Sequence, residues 1–151
     1  MNKRWGLLAV ALALIAFGSA LVLFLVPAPK TPLDTTASTT VTSAATTTDD
    51  LQVEPVTAAS TSLTVSGKAR GIWYFEASFP IQILNASGTV LAQGAAQAEG
   101  DWETTDFVAF TASFNYPAQP MGSNGSIVLK KDNPSGDPAN DKQIEVPIVF
   151  N

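Results

Sequence analysis

This sequence contains no cysteine and no histidine. The first absence excludes a disulfide, a thiolate nucleophile, a zinc–thiolate site and a lipid-modified cysteine behind a leader. The second removes the commonest general base and the commonest transition-metal ligand. Charge is also scarce: only 14% of residues are charged, and the formal net charge is -5 at pH 7. An acidic balance disfavours nucleic acid, whose phosphates are bound by clustered Lys and Arg. Hydrophobic residues make up 46% of the chain, but they are unevenly spread. The 151 residues leave room for one domain with extensions.

Lys3 and Arg4 precede an apolar or small run from Gly6 to Val26. At about 1.5 Å rise per residue, a helix over this run spans roughly 30 Å, the thickness of a bilayer core. The positive flank predicts a cytoplasmic N-terminus (residues 1–5), a transmembrane anchor at 6–26 and an extracytoplasmic remainder. Pro27 and Pro29 stop the helix where it leaves the membrane. A cleaved signal peptide is the competing reading, with Gly18 and Ala20 as small residues near a cut. Both readings export the rest of the chain.

Residues 27–61 read as a linker. From Thr31 to Thr48 nearly every residue is Thr, Ser or Ala, with no aromatic and no sustained period. Such a stretch is expected to be disordered, as a spacer or as an O-glycosylated stalk. About 35 residues of flexible coil span roughly 30 Å.

From Ser62 the pattern changes to period two. Leu63 and Val65 alternate with polar residues, and Trp73, Phe75, Ala77, Phe79, Ile81 and Ile83 occupy consecutive odd positions. The latter predicts a long half-buried strand, with Pro80 marking an edge, a bulge or a division in two. Asn85 to Gly88 reads as a turn, and Thr89 to Ala95 as a weaker strand. Val108 to Tyr116, Ile127 to Leu129 and Ile144 to Phe150 complete the set. The expected architecture for 62–151 is all-β: an immunoglobulin-like sandwich of about six to seven antiparallel strands.

Four runs carry a resemblance: Gly67-Lys68-Ala69-Arg70-Gly71, Phe75-Glu76-Ala77-Ser78-Phe79-Pro80, Ala98-Glu99-Gly100-Asp101-Trp102, and Lys130-Lys131-Asp132-Asn133-Pro134-Ser135-Gly136. In this order and spacing the segment from Ser62 to Phe150 resembles the immunoglobulin-like domain of bacterial spore-germination proteins, a module associated with GerMN domains. The resemblance implies an immunoglobulin-like sandwich in an exported or surface protein and does not itself imply an activity; no cofactor is expected.

Counting strands adds a geometric expectation. If consecutive strands alternate in direction, the first, third and fifth connections share one pole. That pole would hold Lys68, Arg70, Glu99, Asp101, Trp102, Lys131, Asp132 and Asn133, the candidate binding residues. The opposite pole, with Asn85 to Gly88 and Pro117 to Gly125, carries no charge and receives the linker. Loops on a rigid scaffold are where binding residues concentrate.

Each candidate has a plainer alternative. Trp102 reads as an anchor for a sugar or peptide, or as a lid over the sandwich end. Arg70 reads as a ligand clamp, or as the partner of Glu76 or Glu99. The stretch from Asp132 to Asp141 offers oxygens suited to calcium, but lacks the spacing and terminal Glu of an EF-hand. Glu99 and Asp101 resemble a glycosidase carboxylate pair, but a domain this small rarely builds a substrate cleft. The expected function is therefore a non-catalytic module, single-pass in the cell membrane, that binds an envelope protein or a cell-wall polymer. A structural spacer of the envelope and a Ca²⁺- or carbohydrate-binding module are the alternatives.

Overall fold

The structure, a computed structural model, describes residues 40–151. The expected anchor at 6–26 lies outside them, and among the described residues no helix is long and apolar enough to cross a membrane. The described chain forms eight strands: β1 (Thr46–Thr47), β2 (Leu51–Val53), β3 (Ser62–Arg70), β4 (Ser78–Asn85), β5 (Val90–Ala98), β6 (Phe107–Asn115), β7 (Asn124–Lys130) and β8 (Gln143–Val149). Alternation drives them. In β3 the residues Leu63, Val65, Gly67 and Ala69 face inward, while Thr64 and Lys68 face solvent. β4 buries Phe79, Ile81 and Ile83 on the same principle.

All strand pairs are antiparallel, in the order β1-β2-β3-β6-β5-β4-β7-β8. Sequence labels A, B, E, D for β2, β3, β6, β5 and C, F, G for β4, β7, β8 reproduce the immunoglobulin strand order. β5 is the hinge between the two halves. It pairs with β4 along its length, but with β6 only at Gln97↔Thr111 and Ala98↔Phe110. The sheet curls so that its halves face each other. Phe79 on β4 meets Phe110 on β6 edge to face at 5.0 Å, and Trp73 meets Phe79 at 5.7 Å. Burying each such ring contributes about 1.5–3 kcal/mol. The outer edges also meet, through a parallel bridge between Ala58 and Phe150 and a hydrogen bond from Asn151 N to Ala58 O (2.8 Å).

Two expectations about boundaries change. The sheet begins well before Ser62: Leu51, Val53, Val56 and Ala58 are buried core residues. Their Leu-x-Val alternation is too short to stand out from the Thr, Ser and Ala around it. The long strand expected from Trp73 is broken. Gly71–Trp73 is a 3-10 turn, and Phe75 to Ser78 is a tight turn closed by hydrogen bonds in both directions (2.9 and 3.1 Å). Glu76 and Ala77 sit at φ 51° and 62° in that turn. The phase is therefore reset, and Phe75 points to solvent, 42% exposed, instead of joining Trp73 and Phe79 in the core.

The strand directions do alternate. β3, β5 and β7 run one way and β4, β6 and β8 the other. Connections 71–77, 99–106 and 131–142 thus share a pole, joined there by the β1–β2 connection with Asp49 and Asp50. The opposite pole receives the chain at Val41, held to Asn151 by reciprocal hydrogen bonds of 3.0 and 2.7 Å.

Candidate functional site

The charged pole is built from four connections, each locked differently. Arg70 ends β3 and is only partly exposed. Its guanidinium donates to the carbonyls of Asp49 (3.1 Å) and Thr105 (2.9 Å), lies 3.9 Å from the Asp50 carboxylate and stacks over Phe107 at 4.5 Å. Arg70 is thus a brace between two connections, and its ionic partner is Asp50, not Glu76 or Glu99. Asp50 also pairs with the Lys142 ammonium. One carboxylate therefore ties the β1–β2 connection to both β3 and the β7–β8 connection. Lys68 is not at the pole's loops. It is an exposed residue within β3, opposite Gln52 and Ala109.

The β7–β8 connection is organised around Asn133. Its amide donates to Asp137 O (2.8 Å) and Asp141 Oδ1 (2.7 Å), and its carbonyl accepts from Ser135 Oγ (2.5 Å). Asp137 caps a short 3-10 turn through Ala139 N (3.0 Å). In the stretch that suggested calcium, one side-chain oxygen each of Asn133, Asp137 and Asp141 thus accepts from the loop's own donors. Among the described residues no cluster of His, Cys, Asp or Glu could hold a metal ion. Asp132 is anchored by its N–H to Trp73 O (3.0 Å). Beside this loop lies a cleft of about 320 Å³, lined by Pro80, Lys130, Lys131, Asp132, Asn133, Asp141, Lys142 and Gln143. Both charge signs face it, so it can take a ligand bearing both carboxylate and amino or hydroxyl groups.

The β5–β6 connection is acidic and carries one aromatic, Trp102, near its middle. Glu99, Asp101, Glu103 and Asp106 are exposed, and the Asp101 carboxylate accepts from Glu103 N at 3.1 Å. Trp102 is half-buried against the core and shares a shallow depression with Ile72 and Tyr74. It covers the end of the sandwich while leaving part of its ring in solvent. Ile72 is 54% exposed. Sequence reading missed Phe75, which the alternation placed on the buried face of a strand, Ile72, which it did not single out just before that strand, and Asp50, which lay in the expected linker. Burial pushes the Tyr74 hydroxyl up to about 12, with the Glu99 carboxylate adding to it; Tyr74 donates to Val108 O at 2.8 Å. Burial likewise raises Tyr116 to about 12.

Strand order and pole together define an immunoglobulin-like β-domain that displays loops at one end. A family model of the immunoglobulin-like domain of bacterial spore germination (Gmad2) matches residues 52–137, and the chain belongs to that family. Comparison with curated proteins and with solved structures gave no match.

Proposed function

We propose that this chain is a non-catalytic interaction module held outside a cell membrane, which engages an envelope protein or a cell-wall polymer through its charged pole. The observation that carries the reading is the cleft beside Lys131, Asp132 and Asn133. It is a concave, mixed-charge surface on a loop already fixed by its own hydrogen bonds, so little ordering cost remains to be met on binding. The exposed acidic residues and half-exposed Trp102 extend the same pole. The apolar run 6–26 behind Lys3 and Arg4 supports the anchor. The chain enters the domain at the neutral end, which leaves the charged pole distal to that entry.

The test is retention of a Thr40–Asn151 fragment on purified wall polymer and on envelope extract. The reading expects retention that Lys131→Ala with Asp132→Ala removes while the melting temperature is kept.

A further inference from the structure

The β3–β4 connection leaves apolar surface in water. Among the described residues five large apolar side chains are exposed, and two of them, Ile72 (54%) and Phe75 (42%), fall within residues 71–77. Ile72, Tyr74 and the half-buried ring of Trp102 line an open depression of about 490 Å³, together with residues 103–105. Apolar surface gathered in one place on a small domain marks an interaction site. The backbone beneath it is fixed before anything binds. Gly71 N donates to Asp106 O (3.2 Å), Thr104 N to Trp102 O (2.8 Å) and Asp106 N to Thr104 Oγ1 (3.2 Å), and Arg70 holds Thr105 O at 2.9 Å. Docking there meets little ordering cost.

The rim of the depression has one sign of charge. Connections 71–77 and 99–106 carry Glu76, Glu99, Asp101, Glu103 and Asp106, all exposed, and no Lys or Arg. Both ion pairs among the described residues end on Asp50, so none of these five carboxylates is paired there. Arg70, just before the first connection, is committed to Asp50 and two carbonyls. Burial raises the Tyr74 hydroxyl and the Glu99 carboxylate adds to it, which sets Glu99 beside the same depression. Like charges on adjoining connections repel one another, and the fold supplies no counter-charge.

The geometry points to a docking site for a basic segment of a partner protein, whose Lys or Arg side chains lay their stems on Ile72 and Trp102 and carry their charged heads to Glu99 and Glu103. Such side chains are apolar along the stem and cationic at the tip. The open part of the Trp102 ring adds a cation–π contact. An anionic polymer or an anionic lipid surface meets five carboxylates and is repelled. A neutral glycan stacks on a flat, open aromatic ring, whereas this ring is half covered and its neighbour is a branched aliphatic side chain. The depression shares no residue with the cleft beside Lys131, so the inference stands apart from the reading of that cleft.

The test titrates the full-length chain, in neutral detergent, into a short fluorescent peptide of alternating Lys and Val and reads anisotropy. Peptides alternating Lys with Gly, and Glu with Val, separate charge from apolar contact. The Lys–Val peptide should bind more tightly than either. Ile72→Ser should weaken it about tenfold, and Glu99→Gln with Glu103→Gln about fivefold or more, both at unchanged melting temperature. Glu54→Gln with Glu145→Gln removes the same charge elsewhere and should leave binding as in the parent, as should Lys131→Ala with Asp132→Ala. Equal weakening by the Glu54 and Glu145 pair, a Lys–Gly peptide that binds as tightly as Lys–Val, or no effect of Ile72→Ser would each overturn the proposal. So would tighter binding of an uncharged N-acetylglucosamine oligomer, or of phosphatidylglycerol vesicles, than of the Lys–Val peptide.

Discussion

At Gly67 an added Cβ would sit 2.1 Å from the Gln52 carbonyl oxygen and 2.9 Å from the Phe110 ring. At Gly71 it would sit 1.8 Å from Thr104 O and 2.4 Å from Trp102 O. Together with buried Ala69 and the bracing Arg70, these contacts give the run Gly67 to Gly71 a packing role. Two glycines let neighbouring backbone come close, and the arginine ties the connections together. Gly71→Ala should cost about 3 kcal/mol or more, because the obstructing atoms are backbone and cannot swing aside; urea denaturation measures it. The two raised tyrosines make a pH prediction at the same scale. The unfolded chain releases these protons near 10.0, while the folded chain holds them until about 12. Between those values the unfolded state binds fewer protons, so stability falls as pH rises through the window. Tyr74→Phe with Tyr116→Phe should flatten the alkaline limb of the melting-temperature profile, although the lost hydrogen bonds lower its neutral plateau.

The turn from Phe75 to Ser78 shows how an element escapes sequence reading. Both central residues have positive φ, a conformation that costs an ordinary side chain about 1–2 kcal/mol each and is normally announced by Asn-Gly. Glu-Ala announces nothing, so the odd-position apolar pattern ran unbroken from Trp73 to Ile83. Glu76→Asn with Ala77→Gly should raise stability by about 1 kcal/mol, read as a higher melting temperature. β4, β6 and β8 were legible, because long alternation reports a sheet with one buried face, and β3, β5 and β7 were read from shorter runs set between turn signals. β2 was not, since Leu51 and Val53 make only one step of alternation. Their burial leads to a second element-scale prediction. A fragment starting at Ser60 loses Leu51, Val53, Val56 and Ala58 from the core, at about 1.5–3 kcal/mol for each of the larger side chains. It should melt far below a Thr40–Asn151 fragment, or fail to fold, by circular dichroism.

Across the molecule, charge and neutrality are segregated by topology. Alternating strand directions gather Arg70, the acidic β5–β6 connection and the Lys131–Asp132–Asn133 loop at one end, while the 86–89 and 116–123 connections at the other carry no charge. This much of the candidate site followed from counting strands. What counting could not supply was contact: that Lys68 stays on its strand, that Arg70 is committed to Asp50, and that Ile72 and Phe75 are outward. The surface proposed above for an envelope or wall partner is the cleft beside Lys131. The most direct measurement is co-sedimentation of the Thr40–Asn151 fragment with purified cell-wall polymer and with envelope extract, parent against Lys131→Ala/Asp132→Ala. The account predicts that the parent is retained and that the variant, melting at the same temperature, is released. Equal retention of both, or loss only when the neutral Asn85–Gly88 turn is altered, would contradict it.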